Sequence, residues 1–202
     1  MRWPRMRLGV LGGTFDPIHL GHLAAAEAAI ECADLDQVVF VPTGTPPHRP
    51  RAMASGEQRL EMCRFATAGD PRFTVSNIEL EREGPSYTLD TLLALRGANP
   101  HAEMFLVLGW DAASQLRSWY RPDEVLALAP VIVITRPGRA APTIDDVKTA
   151  GLDPARVILC PRPTPSVSGS DLRRDLMAGR PVTGRVPEAV EHYIATHHIY
   201  RG

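Results

Sequence analysis

The sequence predicts an α/β protein built on a doubly wound parallel sheet. Short β-branched runs alternate with stretches of helical periodicity along the whole chain. A glycine pair, Gly12-Gly13, closes the first of those runs, as a tight strand-to-helix turn requires. No internal repeat, low-complexity tract or linker interrupts the 202 residues. Residues 1–202 therefore read as a single domain, with a helical C-terminal part from about residue 168.

Arg7–Gly12 is the first expected strand, and a helix follows over about Leu20–Cys32. Val38–Pro42 is the second strand. Thr43–Ser55 is a loop, because Pro46, Pro47 and Pro50, with Pro42 at its edge, remove backbone donors and fix φ. Gly56–Ala68 sets Leu60, Cys63 and Ala66/Thr67 among charges at helical spacing. Phe73–Leu80 reads as a third strand and Thr88–Leu95 as a helix. Phe105–Leu108, extending toward Glu103, then Val131–Thr135 and Val157–Cys160, complete the strands. Ser170–Met177 is a helix with Gly179 and Pro181 as its stop signal, and Pro187–His197 begins on a proline suited to a first turn. Residues 143–156 carry the weakest pattern. Right-handed crossovers between parallel strands make such a sheet doubly wound. Its ligands bind beyond the carboxyl ends of the strands, so the site is expected in the loops that follow them.

Composition excludes several functions. Lys and Arg number 22 against 23 Asp and Glu, a net charge of −1 that supplies no whole-surface field for nucleic acid or an anionic membrane. At 44% hydrophobic and 22% charged residues the chain is not disordered. No apolar run approaches the roughly 18 residues of a membrane span. Met1–Arg7 is basic, but the apolar stretch behind it meets Gly12, Gly13 and Asp16 too soon for a signal peptide. Cys32, Cys63 and Cys160 are odd in number, far apart and never spaced C-x-x-C. That usage predicts neither a disulfide framework nor a thiolate zinc site, and points to a reducing cytoplasm.

The most informative segment is Gly12-Gly13-Thr14-Phe15-Asp16-Pro17-Ile18-His19-Leu20-Gly21-His22. Its glycines let backbone approach a ligand closely. His19 and His22, at i and i+3, share a face at a helix N-terminus, where N–H groups and the dipole favour an anion. Two ring donors added there suit a phosphate whose charge grows during a reaction, and Gly21 between them leaves room for a nucleotide. A metal pair is the competing reading of two such histidines, but no carboxylate or cysteine completes a set at useful spacing, so no protein metal site is expected. Structural histidines in a turn are the other. Near the C-terminus, Ser166-Val167-Ser168-Gly169-Ser170-Asp171-Leu172-Arg173 offers a second anion site: Ser168 or Ser170 caps a helix and donates a hydroxyl, and Arg173 presents a forked cation. By itself this is the pattern of an ordinary cap.

The first segment resembles the signature G-G-[ST]-F-D-P-x-H-x-G-H of the nucleotidylyltransferase superfamily, whose members transfer AMP or CMP from a nucleoside triphosphate. The second resembles that superfamily's [IV]-S-[ST]-[ST]-x-[IL]-R, with Gly169 where a hydroxyl residue is usual. Gly84-Pro85-Ser86-Tyr87-Thr88-Leu89-Asp90-Thr91-Leu92 looks like the P-S-Y-T-x-D-T-L segment of bacterial nicotinate-nucleotide adenylyltransferases. Gly109-Trp110-Asp111, Ser118-Trp119-Tyr120 and Thr135-Arg136-Pro137-Gly138 resemble that family's G-x-D, W and RPG stretch, and Thr45-Pro46-Pro47-His48-Arg49 its P-P-H-[KR] loop.

The resemblance implies a Rossmann-like nucleotidylyltransferase fold and the reaction ATP + nicotinate mononucleotide → deamido-NAD + pyrophosphate, with Mg²⁺ held mainly through substrate phosphates. It implies catalytic roles for His19, His22 and Arg173. ATP would meet Gly12, Gly13, Thr14, Phe15, His19, His22, Arg49, Gly109, Asp111, Ser168, Ser170 and Arg173. The mononucleotide would meet Thr88, Asp111, Trp119, Tyr120 and Arg136: Trp119 offers a stacking face, and Thr88 with the Tyr120 amide offers donors to a carboxylate. Trp110 replaces a small residue and either crowds the nucleotide pocket or holds a closed conformation. His48 and Arg49 are placed near the triphosphate, whereas His101, His192, His197 and His198 read as surface or packing residues, and Cys32 and Cys63 as core. No nucleic-acid or membrane partner is expected, and a homodimer is the candidate oligomer. The same reaction on nicotinamide mononucleotide is the nearest rival; a catalytically silent nucleotide sensor on the same fold is the rival from another class.

Overall fold

A computed structural model of the chain describes residues 5–46, 52–135, 138 and 140–201. Six strands form one sheet: β1 (Arg7–Gly13), β2 (Gln37–Pro42), β3 (Phe73–Val75), β4 (Glu103–Gly109), β5 (Val131–Ile134) and β6 (Val157–Cys160). Their order is β3-β2-β1-β4-β5-β6, and every described pairing is parallel. This is the Rossmann order, whose switch point lies between β1 and β4. Gly13 and Gly109, the last residues of those two strands, frame it.

The helices are α1 (Leu20–Ala33), α2 (Gly56–Thr67), α3 (Thr88–Ala98), α4 (Trp110–Ala113), α5 (Pro122–Leu128), α6 (Ile144–Thr149), α7 (Gly169–Met177) and α8 (Glu188–Thr196). They cover both faces, so each strand buries alternate residues on opposite sides. Phe40, Phe105, Val107 and Ile132 face the layer with α1, α2, α7 and α8, while Val10, Val41, Leu106 and Val133 face the layer with α3, α5 and α6. Gly9 keeps β1 close to that first layer, since a Cβ there would sit 2.8 Å from Leu35 and 3.0 Å from Val38.

Local chemistry explains the helix starts. Ser55 accepts from the Gln58 N–H and Gln58 answers to the Ser55 N–H, a capping box that opens α2. Thr143 and Asp146 do the same for α6, in the stretch where hydrophobic periodicity predicted nothing.

Two expectations are corrected. The strand predicted over Phe73–Leu80 ends at Val75. It is an edge strand paired only with β2, and beyond Ser76 a turn takes over, with the Leu80 N–H donating to the Asn77 carbonyl and the Asn77 amide to Glu81. The cysteines are not all free: Cys32 on α1 is bonded to Cys160 at the end of β6, with Cα atoms 5.8 Å apart. The helix packs across that strand, a proximity that 128 residues of separation conceals in the sequence. The inference from cysteine usage to a reducing compartment loses its basis accordingly. Cys63 is buried and free, and burial pushes its thiol well above the usual range. Among the described residues no helix is long and apolar enough to cross a membrane.

Candidate active site

The loop from Gly13 to His19 turns directly above the switch point. Gly12 has open space where a side chain would stand, so the backbone edge there is accessible to a ligand. A Cβ on Gly13 would meet the Phe15 ring at 3.0 Å. Phe15 itself takes a left-handed backbone, φ 48°, a strained choice for an aromatic residue that turns its ring into the protein. The ring is 2% exposed and packs edge-on beneath His22, centroids 5.0 Å apart.

His19 occupies the N-cap of α1 and His22 its third position. Their rings stack with centroids 3.7 Å apart and 23° between planes. The His19 N–H donates to His22 Nδ1 at 3.2 Å. An imidazole that accepts at Nδ1 carries its proton on Nε2, so this contact sets the tautomer in which His22 is a donor at its outer edge. The helix N-terminus contributes less than expected. The Leu20 N–H donates to the Arg185 carbonyl, and those of His22 and Leu23 to the His19 carbonyl. Backbone donors expected to meet an anion are thus partly used within the fold, which shifts the task to the rings. A Cβ on Gly21 would lie 3.1 Å from the His19 ring and 3.4 Å from the Pro165 carbonyl, so the backbone of α1 runs close to both.

The second motif is folded against the first. Ser168, rather than Ser170, caps α7, accepting from the Asp171 N–H at 3.5 Å. Arg173 Nη1 donates to the Asp16 carbonyl at 2.7 Å, Nη2 to the Ser170 hydroxyl at 3.4 Å, and Nε stands 3.9 Å from the Asp16 carboxylate. A Cβ at Gly169 would lie at ordinary contact, 3.4 Å from Arg173 Nη1, so the missing hydroxyl residue is not excluded by space.

Asp16 is the joint, and the sequence reading passed over it. Its buried carboxylate accepts from the N–H groups of Met53 (2.8 Å) and Ala54 (3.0 Å) and from the Tyr200 hydroxyl (2.7 Å). Burial and the Asp16 charge push the Tyr200 hydroxyl far above the ordinary phenol range, so it remains a donor at every working pH. Arg59, 3% exposed on α2, donates to the Thr14 carbonyl at 2.8 Å; burial lowers its pKa and the Asp16 charge opposes that. Asp16 sits inside the quoted signature, which was a signal for it. Arg59 had none.

On the far side of the switch point, Gly109 caps α4, which carries Trp110 and Asp111 in its first turn. Thr88 opens α3. Tyr87, just before it, stacks on Tyr120 with centroids 4.4 Å apart, and Trp119 is half-buried against the adjoining core. The expected donor, Thr88, and the expected stacking face, Trp119, are therefore drawn to the same wall. Arg49 and Arg136, and His48 with them, lie outside the described residues. Trp110 packs on the core layer under α3 and α5. Trp110→Ala is expected to cost about 2 kcal/mol and lower the thermal midpoint by about 5 °C, with nucleotide KM values within about twofold. A marked fall in either KM would show instead that the ring crowds the cleft.

The arrangement sets a glycine-edged turn, two stacked imidazoles and a guanidinium on one side of the switch point, and aromatic and hydroxyl side chains on the other. Among the described residues no group of three or more His, Cys, Asp or Glu could hold a metal. Fold and site together define a nucleotide-handling α/β protein, and the pattern of the cytidylyltransferase-like family matches residues 10–175. A protein of Clavibacter michiganensis named "Probable nicotinate-nucleotide adenylyltransferase" is 43% identical over 198 residues, covering 98% of this chain and 96% of its own. One of the same name from Streptomyces coelicolor is 44% identical over 193 residues, covering 95% and 100%. The chain belongs to the cytidylyltransferase-like family and, within it, to the nicotinate-nucleotide adenylyltransferases. The Plasmodium falciparum nicotinic acid mononucleotide adenylyltransferase, solved in complex with NaAD, shares the fold at TM-score 0.76 and 17% identity, with 96% of this chain and 97% of that one covered.

Proposed function

We propose that this chain, as a single nucleotidylyltransferase domain, transfers AMP from ATP to nicotinate mononucleotide, releasing pyrophosphate and giving deamido-NAD. The observation that carries the reading is the joining of the two phosphate motifs at Asp16 and Arg173, in a chain so similar to proteins of that name over its whole length.

The mononucleotide phosphate is already ionised, so it attacks the α-phosphorus of ATP in line without a general base, and the bond to pyrophosphate breaks. Catalysis then consists of positioning and charge stabilisation. His22 Nε2 and the His19 ring donate to the α- and β-phosphates. Arg173, with Ser170 and Ser168 beside it, receives the leaving pyrophosphate, and the backbone of Gly12 to Phe15 borders the triphosphate. Asp111 and Gly109 take the ribose region, Trp119 the pyridine ring, and Thr88 with the Tyr120 amide the ring carboxylate; Arg49 and Arg136 complete the phosphate contacts. The described residues do not fit a protein-built metal site. Mg²⁺ would be held mainly through the phosphates of the substrate ATP. Because the reaction consumes ATP, we place it in the cytoplasm, and the oligomer we expect is a homodimer.

The amide rival differs in one respect. A pocket offering N–H and O–H donors satisfies a carboxylate but confronts the amide nitrogen with donors, at about 1–3 kcal/mol each. Pyrophosphate release measured with ATP and each mononucleotide is expected to favour the acid by about 10² or more in kcat/KM. Comparable efficiencies would reject the acid reading. No release with either would leave the sensor.

A further inference from the structure

We propose that Glu79 and Thr91 are positioning residues for recognition of the ring carboxylate: together they fasten the first turns of α3, on which Thr88 stands. The inference deepens the nicotinate reading above and rests on it.

Glu79 lies in the turn after β3 and is 7% exposed. A buried carboxylate is costly unless a donor meets it. Here the Thr91 hydroxyl donates to Glu79 Oε1 at 2.7 Å, and the Thr91 hydroxyl oxygen accepts from Arg82 Nη2 at 3.3 Å. One hydroxyl therefore bridges a buried acid and a half-buried base. Glu79 Oε2 and Arg82 Nη1 are buried with no partner among the described residues. Among the described residues no other side chain donates a hydrogen bond to the Glu79 carboxylate.

The turn that carries Glu79 is itself braced. A Cβ on Gly44 would lie 2.2 Å from the Glu79 carbonyl oxygen, so the loop after β2 closes directly against it. The Ser86 N–H donates to the Thr45 carbonyl at 2.8 Å, and the Ser86 hydroxyl accepts from the Thr45 N–H at 3.1 Å. The entry to α3 is thus tied twice, at Ser86 just before it and at Thr91 one turn in. Tyr87 and Thr88 lie between the ties. Thr88 and Thr91, three residues apart, share a helix face, so the bond that holds Thr91 also sets the direction of Thr88. Neither Glu79 nor Thr91 needs to touch substrate for this.

Steady-state kinetics with both mononucleotides test the proposal. Thr91→Val is expected to raise KM for nicotinate mononucleotide about tenfold, the scale of one lost hydrogen bond, while KM for ATP and kcat stay within about twofold. The acid-over-amide ratio should fall with it. Thr91→Ser should restore both, and Glu79→Gln, which keeps an acceptor for the hydroxyl, should give a smaller shift in the same direction. A role confined to stability would lower the thermal midpoint and leave the ratio unchanged; that result, or no rescue by serine, overturns the proposal. If Thr91→Val does not fold, Glu79→Gln decides: an unchanged ratio overturns, a lowered one supports. An unmodified enzyme with no preference for the acid refutes the underlying reading before any variant is made.

Discussion

His22→Ala is expected to lower kcat by about 10²-fold or more, the scale for losing one oriented donor to developing charge, with KM for the mononucleotide little changed. The geometry makes the effect specific to this ring. His22 is held from three sides: by the His19 N–H on Nδ1, by the stacked His19 ring and by the edge of Phe15. In the proposed role such a ring would need no reorganisation as charge develops on the α-phosphoryl oxygens, because the partner on Nδ1 leaves the proton on Nε2. Phe15 is kept in a left-handed backbone to provide that support. Single-turnover measurement of AMP transfer is the direct check, because it reports the chemical step apart from product release. A rate within a few-fold of the unmodified enzyme would remove His22 from the phosphate site.

Asp16→Ala is expected to destabilise the fold by about 4 kcal/mol and to lower the thermal midpoint by about 10 °C. Two backbone N–H groups, at Met53 and Ala54, and the Tyr200 hydroxyl lose their acceptor together, and all but Met53 lie in buried surroundings. Arg173 keeps its bond to the Asp16 carbonyl but loses the neighbouring carboxylate. Activity should therefore fall further than stability alone explains, through a guanidinium no longer held square to the pyrophosphate. Asp16→Asn, which retains one oxygen acceptor, should lose about half as much, and Tyr200→Phe less again. Thermal unfolding of the three variants gives the order. A midpoint for Asp16→Ala within 2 °C of the parent would mean that the joint does not hold the two motifs together.

Much of this molecule was legible in its sequence. Short β-branched runs located β1, β2, β4, β5 and β6, which are buried on both faces, and helical periodicity with start and stop residues located the five longest helices, α1, α2, α3, α7 and α8, because each is a local demand that an element meets with its own residues. The glycines, the histidines and the Ser168-to-Arg173 cluster stood out for a similar reason: each set lies at fixed spacing on one turn or one helix start, which is what their proposed phosphate role requires. Short helices such as α5 and α6 escaped, having fewer than two full turns in which a period can show, although the Thr143–Asp146 cap announced one of them.

What only the tertiary structure decided is who meets whom across the chain. Arg173 reaches Asp16 across 157 residues, and Tyr200 reaches it across 184. The Arg185 carbonyl takes the first N–H of α1, a backbone donor that the sequence left open for an anion. The edge position of β3 let local turn bonds end it after three residues, and the crossing of α1 over β6 paired two cysteines that spacing had left apart. None of these has a local signature. Each is fixed by strand order and helix packing, where a partner is chosen by proximity in the assembled fold and the chain between them serves only to close the loop.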